Sequence, residues 1–159
     1  MAQRPTLHVV LVTALQTIFD GESEMVNAPG SEGRLGILPR HAPLLTTLDL
    51  GELRIREHGV DESFFVAGGF LEVNNNVVTI LADDAERAGE IDEERAEAAR
   101  RTAQATLARR DISNEVESAA QGELERAVGR LRVAEVYRAR QGHPRRPHRP
   151  GAPPTDVAD

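Results

Sequence analysis

Cysteine is absent from all 159 residues, which removes disulfides, thiolate chemistry and cysteine-ligated zinc together. Lysine is absent too, so the 19 basic side chains are all arginine. There is no tryptophan and aromatics are 3% of the chain, which leaves only an aliphatic core. No apolar run approaches the roughly 20 residues of a membrane-spanning helix. The nearest candidate, "LHVVLVTAL", is short, follows a single cation at Arg4 and lacks a small-x-small cleavage site, so it reads as a buried strand. The expected protein is soluble, or reaches a membrane only through partners.

Catalytic material is scarce as well. His8 alternates within a strand, His58 sits in a polar turn, and His143 and His148 fall in a Pro-rich end. Only His41 occupies a shaped stretch, where a turn or interface role outweighs that of a general base. No two histidines have metal-ligand spacing, and the acidic run "DDAERAGEIDEE" reads as a solvated face or helix start. "AGGF" and "GSEGRLG" match neither a phosphate-binding loop nor a dinucleotide fingerprint and read as strand turns. Neither a metal site nor a catalytic residue is expected.

What is present fits one ordinary domain, or a small domain with an appendage. The net charge of −7 argues against general affinity for nucleic acid. The charge is uneven, however. Residues 124–149 hold eight arginines against Glu125 and Glu135, while residues 1–123 hold eleven arginines against 22 acids.

From Thr6 to about Ala82 the pattern is that of strands. "ELRIRE" alternates cleanly, "SFFVA", "FLEV" and "VVTILA" are short β-rich runs, and "APGSEG", "EHGVDE", "AGG" and "VNNN" are turn signals between them. This predicts an all-β flattened sandwich or barrel over residues 1–86. From Ile91 the composition shifts to Ala, Glu and Arg. A helix starts at Asp92, whose carboxylate caps it while Glu93 and Glu94 sit at the positive end of its dipole. "RDISN" breaks it, and a second helix over Asn114 to Arg140 carries the stripe Leu124, Ala127, Val128, Leu131 and Ala134. Residues 87–140 are therefore an antiparallel α-helical hairpin, and the Pro- and Gly-rich residues 141–159 a disordered tail. The first helix offers mainly Ala96, Ala99 and Ala103, each worth about 0.8 kcal/mol when buried, so its docking is weak enough for a partner or ligand to reverse.

The densest punctuation is "GRLGILPRHAPLLTTLDL", where Gly33, Gly36, Pro39 and Pro43 impose a bent path. Either it shapes a corner that another protein reads, or it merely folds the sandwich.

Four separated stretches, "SEGRLGILPRHAPLLTTLDLGELRI", "FFVAGGFLEVNNNVVTILAD", "IDEERA" and "LRVAEV", together resemble the epsilon subunit of bacterial rotary F-type ATP synthases, in order from about residue 5 to 140. The resemblance implies a non-catalytic rotor subunit in the central stalk, coupling proton flow to ATP synthesis and restraining hydrolysis through mobile helices. It implies the gamma subunit, the membrane c-subunit ring and the catalytic alpha and beta subunits as partners. It also implies a peripheral position on the cytoplasmic side of the cell membrane, held through those partners alone. The corner residues Gly36, Pro39, Arg40, His41, Pro43 and Leu44 become partner-binding candidates, and Arg126, Arg130, Arg132, Arg138 and Arg140 candidates to meet acidic loops of beta. No cofactor is required, but the family pattern Ile/Leu-Asp-x-x-Arg-Ala with second-helix arginines implies a regulatory ATP site at Ile91, Asp92, Arg95, Ala96, Arg126 and Arg130. A further family arginine aligns with Thr102, with Arg100 and Arg101 only nearby. The competing reading is a free-standing adapter that senses nucleotide through its helices.

Overall fold

The alternation in "LHVVLV" makes Leu7–Val12 the first strand, β1, and buries Leu7, Val9 and Leu11. The computed structural model describes residues 2–142. Seven further strands follow: β2 (Thr17–Ser23), β3 (Met25–Gly30), β4 (Gly33–Ile37), β5 (Leu44–Thr47), β6 (Gly51–Glu57), β7 (Val60–Asn74) and β8 (Val77–Arg87). A 3-10 turn, Ala88–Glu90, leads to α1 (Glu93–Leu107) and α2 (Asn114–Arg140). The strands pair in the order β2-β1-β8-β7-β6-β3-β4, with β5 on the far half of β7. The sheet curls over itself, so Phe19 of β2 meets Phe64 of β7 edge to face at 6.0 Å across the core.

The expected sandwich and hairpin are both present, with two corrections to the strand reading. "AGG" is a bend inside β7 rather than a turn between strands. Gly68 and Gly69 have φ of +64° and +109°, yet pairing with β8 continues on both sides, from Phe64↔Arg87 to Asn74↔Val77. A Cβ at Gly69 would collide with the Leu81 carbonyl oxygen, so only glycine fits. The strands also run past Ala82 to Arg87, because the first half of β7 continues to supply ladder partners for Ala85 and Glu86.

The helices are capped by short polar side chains. Asp92 accepts from the Arg95 amide at 3.0 Å, and Ser113 accepts from the Val116 amide. Buried alanines recur every seven residues, at Ala96 and Ala103 on α1 and at Ala120, Ala127 and Ala134 on α2, which lets the two backbones approach closely. The stripe expected on α2 needs correction. Val128 is exposed and Leu124 and Leu131 are half-buried, since Gly129, Val133 and Tyr137 turn a second face of the helix onto the sheet. There Phe65 and Ala67 of β7, with Ala88, form a small core separate from that of the sandwich. Docking on the sheet thus rests on this second interface, while the alanines hold the two helices to each other. Gln141 and Gly142 close α2, the Gly142 amide donating to Ala139; the rest of the tail, 143–159, lies outside the described residues.

On β1, next to the edge strand β2, His8 stands between two β2 carboxylates, Nε2 at 2.8 Å from Asp20 and Nδ1 at 2.9 Å from Glu22. The Glu22 contact chiefly, then Asp20, raises the His8 pKa above its ordinary 6.5. A raised folded-state pKa means that this contribution is complete below about 6.5 and is lost as pH climbs through the raised value. Thermal midpoints of the chain and of His8→Gln should therefore differ most near pH 5.5 and converge near pH 9. A gap that stays constant across that range would show that the imidazolium contributes nothing.

Candidate functional site

Where α1, α2 and the end of β8 meet, a pocket of about 330 Å³ is lined by Glu86, Asp92, Arg95, Ala96, Glu123 and Arg130, among others. Four of the six nucleotide candidates, Asp92, Arg95, Ala96 and Arg130, are thus brought together. Ile91 packs instead with Phe65 and Tyr137 in the small core, and Arg126 pairs with Glu123 at 3.2 Å on the pocket rim. Arg100 and Arg101 line another groove, with Val128 and Arg132, and do not replace the missing arginine at Thr102.

The pocket is internally paired. Arg130 lies over the Phe65 ring at 4.8 Å, donates to Glu86 at 3.2 Å and also pairs with Asp84. Asp92 is engaged as the α1 cap. An anion entering this pocket must take Arg130 from two carboxylates.

Two further arginines tie α2 down. Arg138 pairs with Glu93 across the hairpin. Arg140 makes a two-pronged contact to Glu52 of β6, Nη1 and Nη2 at 2.7 and 2.8 Å from its oxygens. The Glu52 carboxylate is only 11% exposed, whereas the Arg140 side chain remains 38% exposed. Arg132, in contrast, faces the outer groove.

The corner candidates do not form one loop. Gly36 lies within β4 opposite Asn27, and Leu44 opens β5 against the core; Pro39, Arg40, His41 and Pro43 form the bend between them. Arg40 has φ +66°, and its amide donates at 2.9 Å to Asn76 Oδ1, whose own amide group donates to the Thr6 carbonyl at 2.8 Å. The bend is therefore tied to the β7–β8 turn and to the chain start. Leu38 is 56% exposed beside Pro39 in a shallow, mostly apolar depression reaching Arg4 and Pro5.

One surface was not foreseen from the sequence. Register places Phe70 opposite Leu81, Leu81 beside Val12, Leu45 opposite Glu72 and Val10 beside Thr79. Leu45, Phe70 and Leu81 are 70%, 54% and 48% exposed, on a sheet face that neither helix covers. The available signal was outward-parity apolar residues in strands that should alternate: Val10 and Val12 in β1, Leu81 in β8. Exposed apolar patches mark protein or membrane contacts or ligand grooves.

The beta-sandwich domain model of the ATP synthase delta/epsilon chain matches residues 6–88, and the long alpha-helix domain model of the same chain matches residues 90–135. The chain belongs to the ATP synthase delta/epsilon chain family. The ATP synthase epsilon chain of Herpetosiphon aurantiacus is 50% identical over 135 residues, covering 85% of this chain and 98% of that one. That of Alkalilimnicola ehrlichii is 47% identical over 136 residues, covering 85% and 96%. The fold is also that of a chain in the Euglena gracilis mitochondrial ATP synthase OSCP/F1/c-ring assembly, with a TM-score of 0.70 at 23% identity over 85% of this chain and 84% of that chain. The 3-10 turn straddles the boundary between the two family models and is the joint from which the hairpin folds back onto the sandwich.

For this epsilon-type chain the Arg140–Glu52 clamp sets how firmly the last turns of α2 are held. Glu52→Gln should weaken it by about 1 kcal/mol and speed amide exchange over residues 133–140 roughly fivefold, with β1 and β8 unchanged. Unchanged exchange there would mean that the remaining contacts of α2, Arg138 with Glu93 and Val133 and Tyr137 in the small core, hold its last turns without the clamp.

Proposed function

We propose that this chain is a non-catalytic rotor subunit in the central stalk of a proton-translocating F-type ATP synthase. Its sandwich joins the gamma subunit to the c-subunit ring, and its hairpin restrains ATP hydrolysis when it leaves the sandwich to meet the alpha and beta subunits. Family membership through both halves of the chain carries this reading. The exposed apolar sheet face supports it physically, because such a face calls for a permanent protein partner and a free-standing sensor has no use for one. Among the described residues no helix is long and apolar enough to cross a membrane. Attachment to the cytoplasmic side of the cell membrane therefore runs through the partner subunits.

The two surfaces divide the work. The apolar face of β1, β7, β8 and β5 takes gamma, and the bend at Pro39–Pro43 takes the c ring. Titrating Phe70→Asp with Leu81→Glu onto the isolated gamma subunit should show affinity lowered at least about a hundredfold, as expected for desolvated apolar anchors, with the fold intact by circular dichroism. Wild-type affinity in that variant would remove this face from the contact.

The pocket under the hairpin is the regulatory ATP site. Its residues fit the ligand in part: Arg130 and Arg95 offer cations to phosphate, the alanines leave room for a flat base, and Glu86 and Asp84 oppose the phosphates by holding Arg130. Binding there favours the docked hairpin, since the pocket exists only while α1, α2 and β8 are together. In calorimetry Arg130→Ala should abolish ATP binding, whereas Asp84→Asn should tighten it by up to about fivefold, the equivalent of about 1 kcal/mol of released competition. A flat wild-type titration at millimolar nucleotide would eliminate the site and leave the stalk reading standing.

A further inference from the structure

At the end of α2, an open groove of about 580 Å³ runs between the β6–β7 turn and the 3-10 turn. Its floor includes Val60, which is 69% exposed, and the ring of Tyr137; carboxylates line its rim. Asp61 is paired with Arg56, and Glu62 with Arg87. Glu57 and Glu90 have no cationic partner among the described residues. Gln141, the last residue before the closing glycine of α2, lies in the groove wall, so the chain leaves the described structure at the groove itself.

Beyond Gly142 the sequence reads "HPRRPHRP", residues 143–150. Pro144, Pro147 and Pro150 are spaced by three, and so are His143, Arg146 and Arg149. Polyproline II has three residues per turn, so in that conformation the prolines fall along one edge and His143, Arg146 and Arg149 along the next. Proline edges dock on aromatic and apolar grooves, and arginine edges on carboxylates. Arg146 is five residues on from Gln141, a reach of at most about 17 Å, ample to bring guanidinium groups to a rim that begins beside Gln141.

We propose that residues 143–150 dock back into this groove, prolines against Tyr137 and Val60 and arginines toward Glu57 and Glu90. The segment lies beyond the family match, so this contact is an addition belonging to this chain and holds whether or not the chain sits in a stalk. Because the segment is continuous with α2 and the groove belongs partly to the sandwich, docking adds a second tether beside the Arg140–Glu52 clamp and opposes release of the hairpin.

The chain has no cysteine, so Ala152→Cys takes a single nitroxide label in the full-length protein. Tethering alone places the label near the groove, so the control is the same labelled chain with Arg145, Arg146 and Arg149 changed to glutamine. Paramagnetic broadening at the amides of residues 57–60 and 89–90 should be several-fold stronger in the arginine chain. The excess should vanish in Glu57→Gln with Glu90→Gln, and at about 1 M salt, where screening acts within about 3 Å. Equal broadening in the arginine and glutamine chains overturns the proposal. So does broadening centred on the groove of Arg100 and Arg132, or broadening transferred to an unlabelled copy of the chain in a mixed sample.

Discussion

The bend at Gly68 and Gly69 is the constraint on which the other contacts rest. Before it, Phe64 and Val66 face the sandwich core; after it, Leu71 and Val73 do, so the pleat parity of β7 changes at the two glycines. β8 changes with it, from Val78 and Ile80 to Ala85. One strand can thus pair with β6 over its first half and with β5 over its second. Without the change, either Phe64 or Leu71 would point to solvent and one half of the core would be lost. The positive φ values and the approach to Leu81 explain why two glycines stand in the middle of the longest strand.

The same parity change gives β7 two outward faces with different occupants. Phe65 and Ala67 receive the helices, while Phe70 stands exposed beside Leu81. The hairpin and the exposed apolar patch therefore occupy opposite ends of one strand without sharing surface. Closeness at the hairpin end depends on Gly129, where a Cβ would collide with the Leu50 side chain and lie 3.0 Å from Phe65. The neighbouring Arg130 then sits over the Phe65 ring while its nitrogens reach two carboxylates, a combination a lysine ammonium cannot make. In a chain without lysine, docking uses planar cations on a thin layer of small residues, an interface held by several contacts of modest worth rather than by one deep core.

Periodicity made the architecture legible. Clean alternation in β1 and β6, the alanine-rich composition after Ile91 and the Asp92 cap each rest on neighbours within a few residues, and each stands where the sequence puts it. What escaped depends on residues far apart. Arg130 meets Glu86 and Asp84 across separations of 44 and 46 residues, and Arg140 meets Glu52 across 88. A lone "AGG" looks the same whether it ends a strand or bends one; only the continuing ladder with β8 distinguishes them. The nucleotide candidates were legible as a motif, but their pairing was not. Asp92 and Arg95 are neighbours on α1, whereas the carboxylates that hold Arg130 come from β8.

The same division between near and distant contacts governs the hairpin release proposed above. The caps and the alanine seam lie within the hairpin itself, so in the proposed release α1 and α2 can stay paired while the hairpin turns as a unit about the 3-10 turn. The proposed departure from the sandwich breaks the long-range pairings of Arg130 with Asp84 and Glu86 and of Arg140 with Glu52, and opens the core that Val133 and Tyr137 share with Phe65. Each arginine freed in that step leaves a carboxylate behind on the sandwich and becomes available to an acidic partner elsewhere. In the release proposed above, the ion pairs can be exchanged for similar ones on a partner, so the cost to be met is chiefly the apolar contact of Val133 and Tyr137 with Phe65.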